Sequence, residues 1–248
     1  GIYLKDSGYS TVANNTVKNN RFGIHLGNSG YSTVANNTVT DNEWKGIWLY
    51  YSSYSTVENN TVKNNDQYGI VLSFSGYSTV ANNTVKNNNG YGIHLGNSGY
   101  STVANNTFVN DGLYIWLYNL DDYFTLLIEN NLVNGKALGY LVNLASAVID
   151  QPNYYGQLFL INCSDVTIAN QNLSYTDIGF YGKYCNQLTI TNNILTNNWY
   201  GIYLYSSGYS TVVNNTVKNN NDDGIYLKDS GYSTVANNTV KNNRFGIH

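Results

Sequence analysis

Apolar and polar residues alternate along the chain in short runs. Ile2 and Leu4 flank Tyr3, and Val12 and Val17 stand on either side of the pair Asn14–Asn15. A period of two puts successive side chains on opposite faces of an extended strand, whereas the i, i+3, i+4 spacing of an amphipathic helix is absent. The phrase GYSTVANNTV returns at Gly8 to Val17, Gly30 to Val39, Gly76 to Val85 and Gly231 to Val240. The first Asn of each NN pair falls at Asn14, Asn36, Asn59, Asn82, Asn105, Asn130, Asn192, Asn214 and Asn237, mostly 22 or 23 residues apart. A period this short predicts a solenoid. Three short strands separated by Asn, Ser and Gly turns fill one repeat, so each repeat reads as one coil of a parallel β-helix. Successive coils then pair at about 4.8 Å.

Equivalent positions must stack into ladders. The inward ones are Ile2, Ile24, Ile47, Ile70, Ile93, Ile202 and Ile225, with Leu4, Leu26, Leu49, Leu72, Leu95, Leu204 and Leu227 beside them. Valines 12, 34, 57, 80, 103, 212 and 235 form a third. The second Asn of each pair, at positions 15, 37, 60, 83, 106, 131, 193, 215 and 238, is assigned to an inward amide ladder. The expected architecture is all-β: about ten coils of 22–23 residues in one domain over 1–248, with regular coils at 1–110 and 191–248 around a divergent segment 111–190.

Composition narrows the function classes. With 11% charged residues, 15% aromatic residues and a net charge of -3, the chain is neither a disordered tail nor a basic nucleic-acid binder. The longest apolar runs are far short of the ~20 residues of a spanning helix. Low charge also suits a ladder fold, because a charged side chain at a repeated position meets its own kind on the next coil.

The phrases GIYLYSSGYSTVVNNTVKNN (Gly201 to Asn220) and LINCSDVTIANQNLS (Leu160 to Ser174) resemble the right-handed, single-stranded parallel β-helix repeats of the NosD-like group. That group sits within the wider set of pectin-lyase-like, carbohydrate-binding and sugar-hydrolase solenoids. The stretch GKALGYLVNLASAVID followed by GQLFLINCSDVTI is similar to a module of archaeal cell-surface proteins. The resemblance covers nearly the whole chain. It implies the fold, and it raises copper binding and polysaccharide chemistry as functions whose residues must be found in this chain.

Copper needs clustered His, Cys or Met. There is no Met, and His25 and His94 share a repeat position three coils apart, about 14 Å. No metal site or cofactor is assigned. The acidic doublets Asp121–Asp122 and Asp222–Asp223 place neighbouring carboxylates on opposite strand faces, and the only arginines are Arg21 and Arg244. No catalytic constellation is legible, so no enzyme is expected. Cys163 and Cys185 align on adjacent coils and are read as either a disulfide or a pair of thiols. N-glycosylation sequons occur at Asn14, Asn36, Asn59, Asn82, Asn105, Asn162, Asn172, Asn214 and Asn237.

Two outward ladders carry the candidate surface. Tyr9, Tyr31, Tyr54, Tyr77, Tyr100, Tyr209 and Tyr232 share a position beside a turn. Tyr3, His25, Trp48, His94, Trp116, Tyr203 and Tyr226 share another, between the core Ile and Leu, as a glycan or partner surface. Residues Gly1 to His25 and Gly224 to His248 are identical, consistent with a tandem period of 223 residues, and the chain reads as starting and stopping in mid-coil without a capping element. Solenoids need caps, so the expectation is a fragment of a longer surface protein or a protomer continued by its neighbours. These readings lead to a non-enzymatic, extracellular or cell-surface β-helix, a structural or adhesive rod of a filament or surface layer, with other copies of itself or surface glycans as partners. A carbohydrate-binding or polysaccharide-modifying β-helix is the alternative, and periplasmic copper binding the third reading.

Overall fold

A computed structural model describes all residues from Gly1 to His248. The sequence reading treats 1–248 as one domain; the structure resolves two compact units, Gly1–Asn134 and Gly135–His248, dividing inside the divergent segment. Together they carry about 11 coils of an all-β parallel solenoid.

Unit 1 has three parallel sheets. The first stacks Ile2–Lys5, Ile24–Gly27, Ile47–Tyr50, Ile70–Ser73, Ile93–Gly96 and Leu113–Trp116 in chain order. The second contains Thr11–Ala13, Thr33–Ala35, Thr56–Glu58, Thr79–Ala81, Thr102–Ala104 and Leu127–Glu129. The third contains Thr16–Lys18, Thr38–Thr40, Thr61–Lys63, Thr84–Lys86, Thr107–Val109 and Leu132–Val133. Register runs residue for residue, Ile2 on Ile24, Ile24 on Ile47 and Val34 on Val57. The Ile, Leu and Val ladders therefore form the core, closed to solvent from the second coil of the unit onward.

The Asn pair makes the corner between the second and third sheets. Its first member takes a left-handed conformation, with φ of 60° at Asn14 and 55° at Asn59, which Asn tolerates better than most residues. The second member turns its amide inward. The Nδ2 of Asn37 donates to Asn60 Oδ1 at 3.0 Å and to the Val12 carbonyl at 2.9 Å, while its Oδ1 accepts from the backbone and side-chain nitrogens of Asn15. The same bonds repeat from Asn60 to Asn83 and from Asn83 to Asn106. The buried amides satisfy one another and hold adjacent coils together.

Three further polar ladders lie outside what the sequence reading assigned. Asn42 stacks on Asn65 and Asn65 on Asn88, each Nδ2 donating to the next Oδ1 at 2.8 Å. This ladder ends on Asp111, whose Oδ2 accepts from Asn88 Nδ2 at 2.8 Å. Ser29, Ser52, Ser75 and Ser98 form a second, each backbone N–H donating to the next hydroxyl. Ser32, Ser55, Ser78 and Ser101 form the third in the same way. The last coil of the unit departs from the repeat with a short helix, Leu120–Phe124, whose buried Tyr123 oxygen accepts the Leu117 N–H at 3.2 Å.

Unit 2 stacks Lys136–Val142, Tyr155–Ile161, Ile178–Lys183, Tyr200–Tyr205, Asp223–Lys228 and Phe245–Ile247 as its first sheet. Behind it lie Ala145–Ile149, Ser164–Ala169, Thr189–Thr191, Thr211–Val213 and Thr234–Ala236, with Ile194–Thr196, Thr216–Lys218 and Thr239–Lys241 completing the later coils. Leu158, Phe180, Ile202 and Ile225 fill the interior, and the amide ladder resumes from Asn193 through Asn215 to Asn238.

Cys163 and Cys185 are buried free thiols, so the disulfide alternative is not what the structure contains. They occupy seats of a Ser-type ladder: Cys163 N–H donates to Cys185 Sγ at 3.4 Å, and Cys185 N–H to Ser207 Oγ at 3.1 Å. Side chains in register point the same way, and each sulfur hydrogen finds a main-chain carbonyl, Ile161 for Cys163 and Leu160 for Cys185. The Cys185 thiol is held far above its ordinary range first by its side-chain contact with the Cys163 thiol and then by burial, against the lowering effect of the Cys163 N–H bond.

Candidate functional site

The outward position between the core Ile and Leu carries, in unit 1, Tyr3, His25, Trp48, Val71, His94 and Tyr114 in continuous register. Trp116 does not belong to it. A 22-residue step from His94 lands on Trp116, but the coil from Gly92 to Gly112 is shorter, which seats Tyr114 beside His94 and Trp116 beside Gly96. The rings stack where they are adjacent, Tyr3 on His25 at 4.7 Å and His25 on Trp48 at 4.2 Å.

This strip faces outward without being open. A second aromatic row, Phe22, Trp44, Tyr68 and Tyr91, rises from the turn preceding each coil and leans over it. Phe22 lies 5.8 Å from both His25 and Trp48, and Tyr91 lies 5.7 Å from His94 and 4.1 Å from Tyr114. Lys45 seats its Nζ 3.6 Å above the Trp48 ring. Both ring nitrogens of His94 are shielded from solvent and lack hydrogen-bond partners. Burial, with a smaller contribution from the Lys45 charge, pushes the His94 pKa down to about 4. In unit 2, Tyr203 is 8% exposed with the Tyr200 ring edge-on at 5.2 Å, and Tyr226 is half-buried. Only Tyr3, 61% exposed, remains open among the residues predicted here. It borders a cavity of about 450 Å³ lined by Asn20, Arg21, Phe22 and His25. The covering row had a visible signal, an aromatic one or two residues before the Gly that opens each coil.

The turn-side ladder behaves differently. Tyr9, Tyr31, Tyr54, Tyr77 and Tyr100 are all left-handed, with φ between 55° and 59°. Their rings stack at 5.0, 4.8, 4.9 and 4.6 Å with planes within 12° of parallel. Each is about half exposed or more. Tyr209 and Tyr232 repeat the arrangement in unit 2 at 5.0 Å. A residue with a Cβ in this backbone region costs roughly 1 kcal/mol, and offset-stacked rings return a comparable amount. Inner rings cover each other's faces, so the ladder presents edges and hydroxyls rather than the open faces on which a sugar ring packs.

The remaining candidates are dispersed. Asp121 and Asp122 lie in the short helix, while Asp222 ion-pairs with Arg244 at 3.8 Å and Asp223 Oδ1 lies 3.3 Å from His248 Nδ1. Arg21 instead packs over Trp44 at 4.8 Å. No three His, Cys, Asp or Glu side chains come together as a metal-holding group. Eight of the sequon asparagines, Asn14, Asn36, Asn59, Asn82, Asn105, Asn162, Asn214 and Asn237, are exposed in left-handed turns, whereas Asn172 is half-buried with its Oδ1 shielded.

The family model described as "Periplasmic copper-binding protein (NosD)" matches residues 1–143 and 140–248. No curated protein matches the chain. Among solved structures it is similar to the A-module of mannuronan C-5 epimerase AlgE4 from Azotobacter vinelandii, at 14% identity and a TM-score of 0.46 over 99% of this chain and 73% of that one. It is also similar to a GH87 α-1,3-glucanase catalytic domain, at 13% identity and a TM-score of 0.42 over 99% and 61%. A third similarity is to pectate lyase Pel9A, at 16% identity and a TM-score of 0.34 over 95% and 68%.

Proposed function

The chain belongs to the NosD family, described as periplasmic copper-binding proteins, and on that premise we propose that it is a non-enzymatic, extracellular β-helix with a structural or adhesive role. The observation that carries this reading is the exposed tyrosine ladder, which presents the same ring edge and hydroxyl on coil after coil. A surface repeated at fixed spacing engages other copies of the chain, or a patterned cell surface, through many weak contacts at once. Tyr and Trp supply such contact area at low entropic cost. The eight exposed sequons are proposed N-glycosylation sites, occupied on some coils only, because glycans on every coil would collide.

A copper centre would have to be built from the His and Cys donors of this chain. The chain has no Met, and His25 and His94 are separated in register by Trp48 and Val71. The two thiols point into the interior and are bonded to main-chain carbonyls. This donor set does not fit a copper centre.

The alternative reading, a carbohydrate-binding or carbohydrate-modifying β-helix, is favoured by the cavity at Tyr3, Arg21, Phe22 and His25, where rings and a guanidinium suit an acidic sugar. Incubation with acidic polysaccharides, read by mass spectrometry of released or altered sugars, separates the two. The structural reading expects unchanged polysaccharide, and turnover that is lost in Arg21→Ala would replace it with the enzymatic one.

A further inference from the structure

The stacked tyrosines are placed for covalent chemistry as well as for contact. Tyr9, Tyr31, Tyr54, Tyr77 and Tyr100 hold their ring centroids 4.6–5.0 Å apart, nearly parallel, with an edge open to solvent. The common left-handed backbone gives each Tyr the same Cα–Cβ direction, so corresponding ring atoms of neighbours face each other along the ladder. Tyr209 and Tyr232 repeat the arrangement in unit 2 at 5.0 Å. The other tyrosine pairs fail in one respect or another. Tyr91 stacks on Tyr68 and Tyr114 but is buried, and Tyr50–Tyr51 and Tyr154–Tyr155 meet edge-on at 67° and 89°.

We propose that the exposed tyrosine ladder is a site of oxidative ring-to-ring coupling, by which neighbouring coils become joined through dityrosine bonds. The oxidant class is a peroxide acting through a one-electron oxidant such as a haem peroxidase. Each of two adjacent phenols gives up one electron and its hydroxyl proton, leaving two phenoxyl radicals. Their ortho carbons form one carbon–carbon bond, and the ortho hydrogens transfer to the oxygens to restore two phenols. The two electrons and two protons reduce one peroxide O–O bond, yielding two molecules of water from hydrogen peroxide. Rings already about 5 Å apart meet at an effective concentration far above that of chains in dilute solution, so coupling within one chain outruns coupling between chains. The product would staple coil to coil on the outer edge, as the amide ladders do inside. This inference goes beyond the structural role proposed above and does not depend on it.

The test treats the dilute, folded 248-residue chain with hydrogen peroxide and peroxidase, reads dityrosine fluorescence, and maps cross-linked peptides by mass spectrometry. The expected result is a monomeric product with links between Tyr31 and Tyr54, Tyr54 and Tyr77, or Tyr77 and Tyr100, in a yield that does not change as protein is diluted. Tyr31→Phe combined with Tyr77→Phe keeps the stacked rings and leaves no adjacent phenols among the five, so unit 1 dityrosine should fall roughly tenfold or more. The proposal is overturned if the wild-type yield rises with protein concentration. Links mapping mainly to Tyr50–Tyr51 or Tyr68–Tyr91, or a double variant that retains the unit 1 yield, overturn it as well.

Discussion

Asp111 terminates a ladder of amides with a carboxylate, and changing it to Asn should invert the pH dependence of unit 1. The side chain is 1% exposed and accepts hydrogen bonds from the backbone and side-chain nitrogens of Asn88. Burial raises its pKa from 3.8 to about 8, against the smaller opposing effect of the Asn88 bonds. A tenfold change in proton affinity corresponds to about 1.4 kcal/mol, so the penalty for ionising this carboxyl in the folded state is on the order of 5 kcal/mol. Because the folded state holds this proton more tightly, the contribution is complete below pH 3.8 and is lost as pH rises toward 8. His94 acts in the opposite sense: its pKa is lowered from 6.5 to about 4, so stability is lost as pH falls through that range, by about 3 kcal/mol. Between about pH 4 and 6.5 the Asp111 slope opposes that of His94, to which His25, also lowered by burial, adds; above 6.5 the histidine slopes end and the Asp111 slope costs about 2 kcal/mol by pH 8. In Asp111→Asn the fall above 6.5 disappears, and a rise from pH 4 to 6.5, due to His94 with His25 acting in the same sense, is uncovered. Native-state hydrogen exchange of the Thr84–Lys86 and Ile93–Gly96 amides across this pH range reads unit 1 alone. A variant that retains the loss between about pH 6.5 and 8 would refute the assignment of that loss to Asp111.

Three further outcomes test the packing. Asn60→Ala removes one rung of the inner ladder and strands hydrogen-bonding groups of Asn37 and Asn83, which should destabilise unit 1 by about 3 kcal/mol in urea unfolding. Gly69→Ala places a Cβ 2.5 Å from the Gly92 carbonyl oxygen and 2.9 Å from Asn88 Nδ2, so the coils must separate; a loss of about 2 kcal/mol or more is expected in the same assay. Intact mass should be unchanged by reduction, and both Cys163 and Cys185 should alkylate quickly in denaturant and slowly in the folded chain.

Much of the fold was legible because stacking imposes one choice at each repeat position, so the Ile, Leu, Val and Asn ladders stand out at a fixed spacing. The same regularity misleads at Trp116, where a shortened coil shifts every later residue relative to a uniform step. Asp111 lies one repeat beyond Asn88 and was open to the same reading, but a carboxylate among amides does not look like a rung until its burial is seen. The Ser ladders are hidden by the ordinary place of Ser in turns. Shielding of the His25–Trp48 strip escapes the sequence because alternation identifies the face of a strand and is silent about what covers it. Phe22, Trp44, Tyr68 and Tyr91 reach over from neighbouring turns, a contact that periodicity within a strand does not encode.

Sedimentation velocity of the folded chain over a range of concentrations, beside Tyr31→Ser combined with Tyr77→Ser, tests most directly whether the repeated tyrosine edge is an associating surface. The account predicts association that grows with concentration and weakens in the variant while the far-ultraviolet circular dichroism of the β-helix is kept. A chain that stays monomeric throughout, or a folded variant that associates as strongly as the parent, contradicts it.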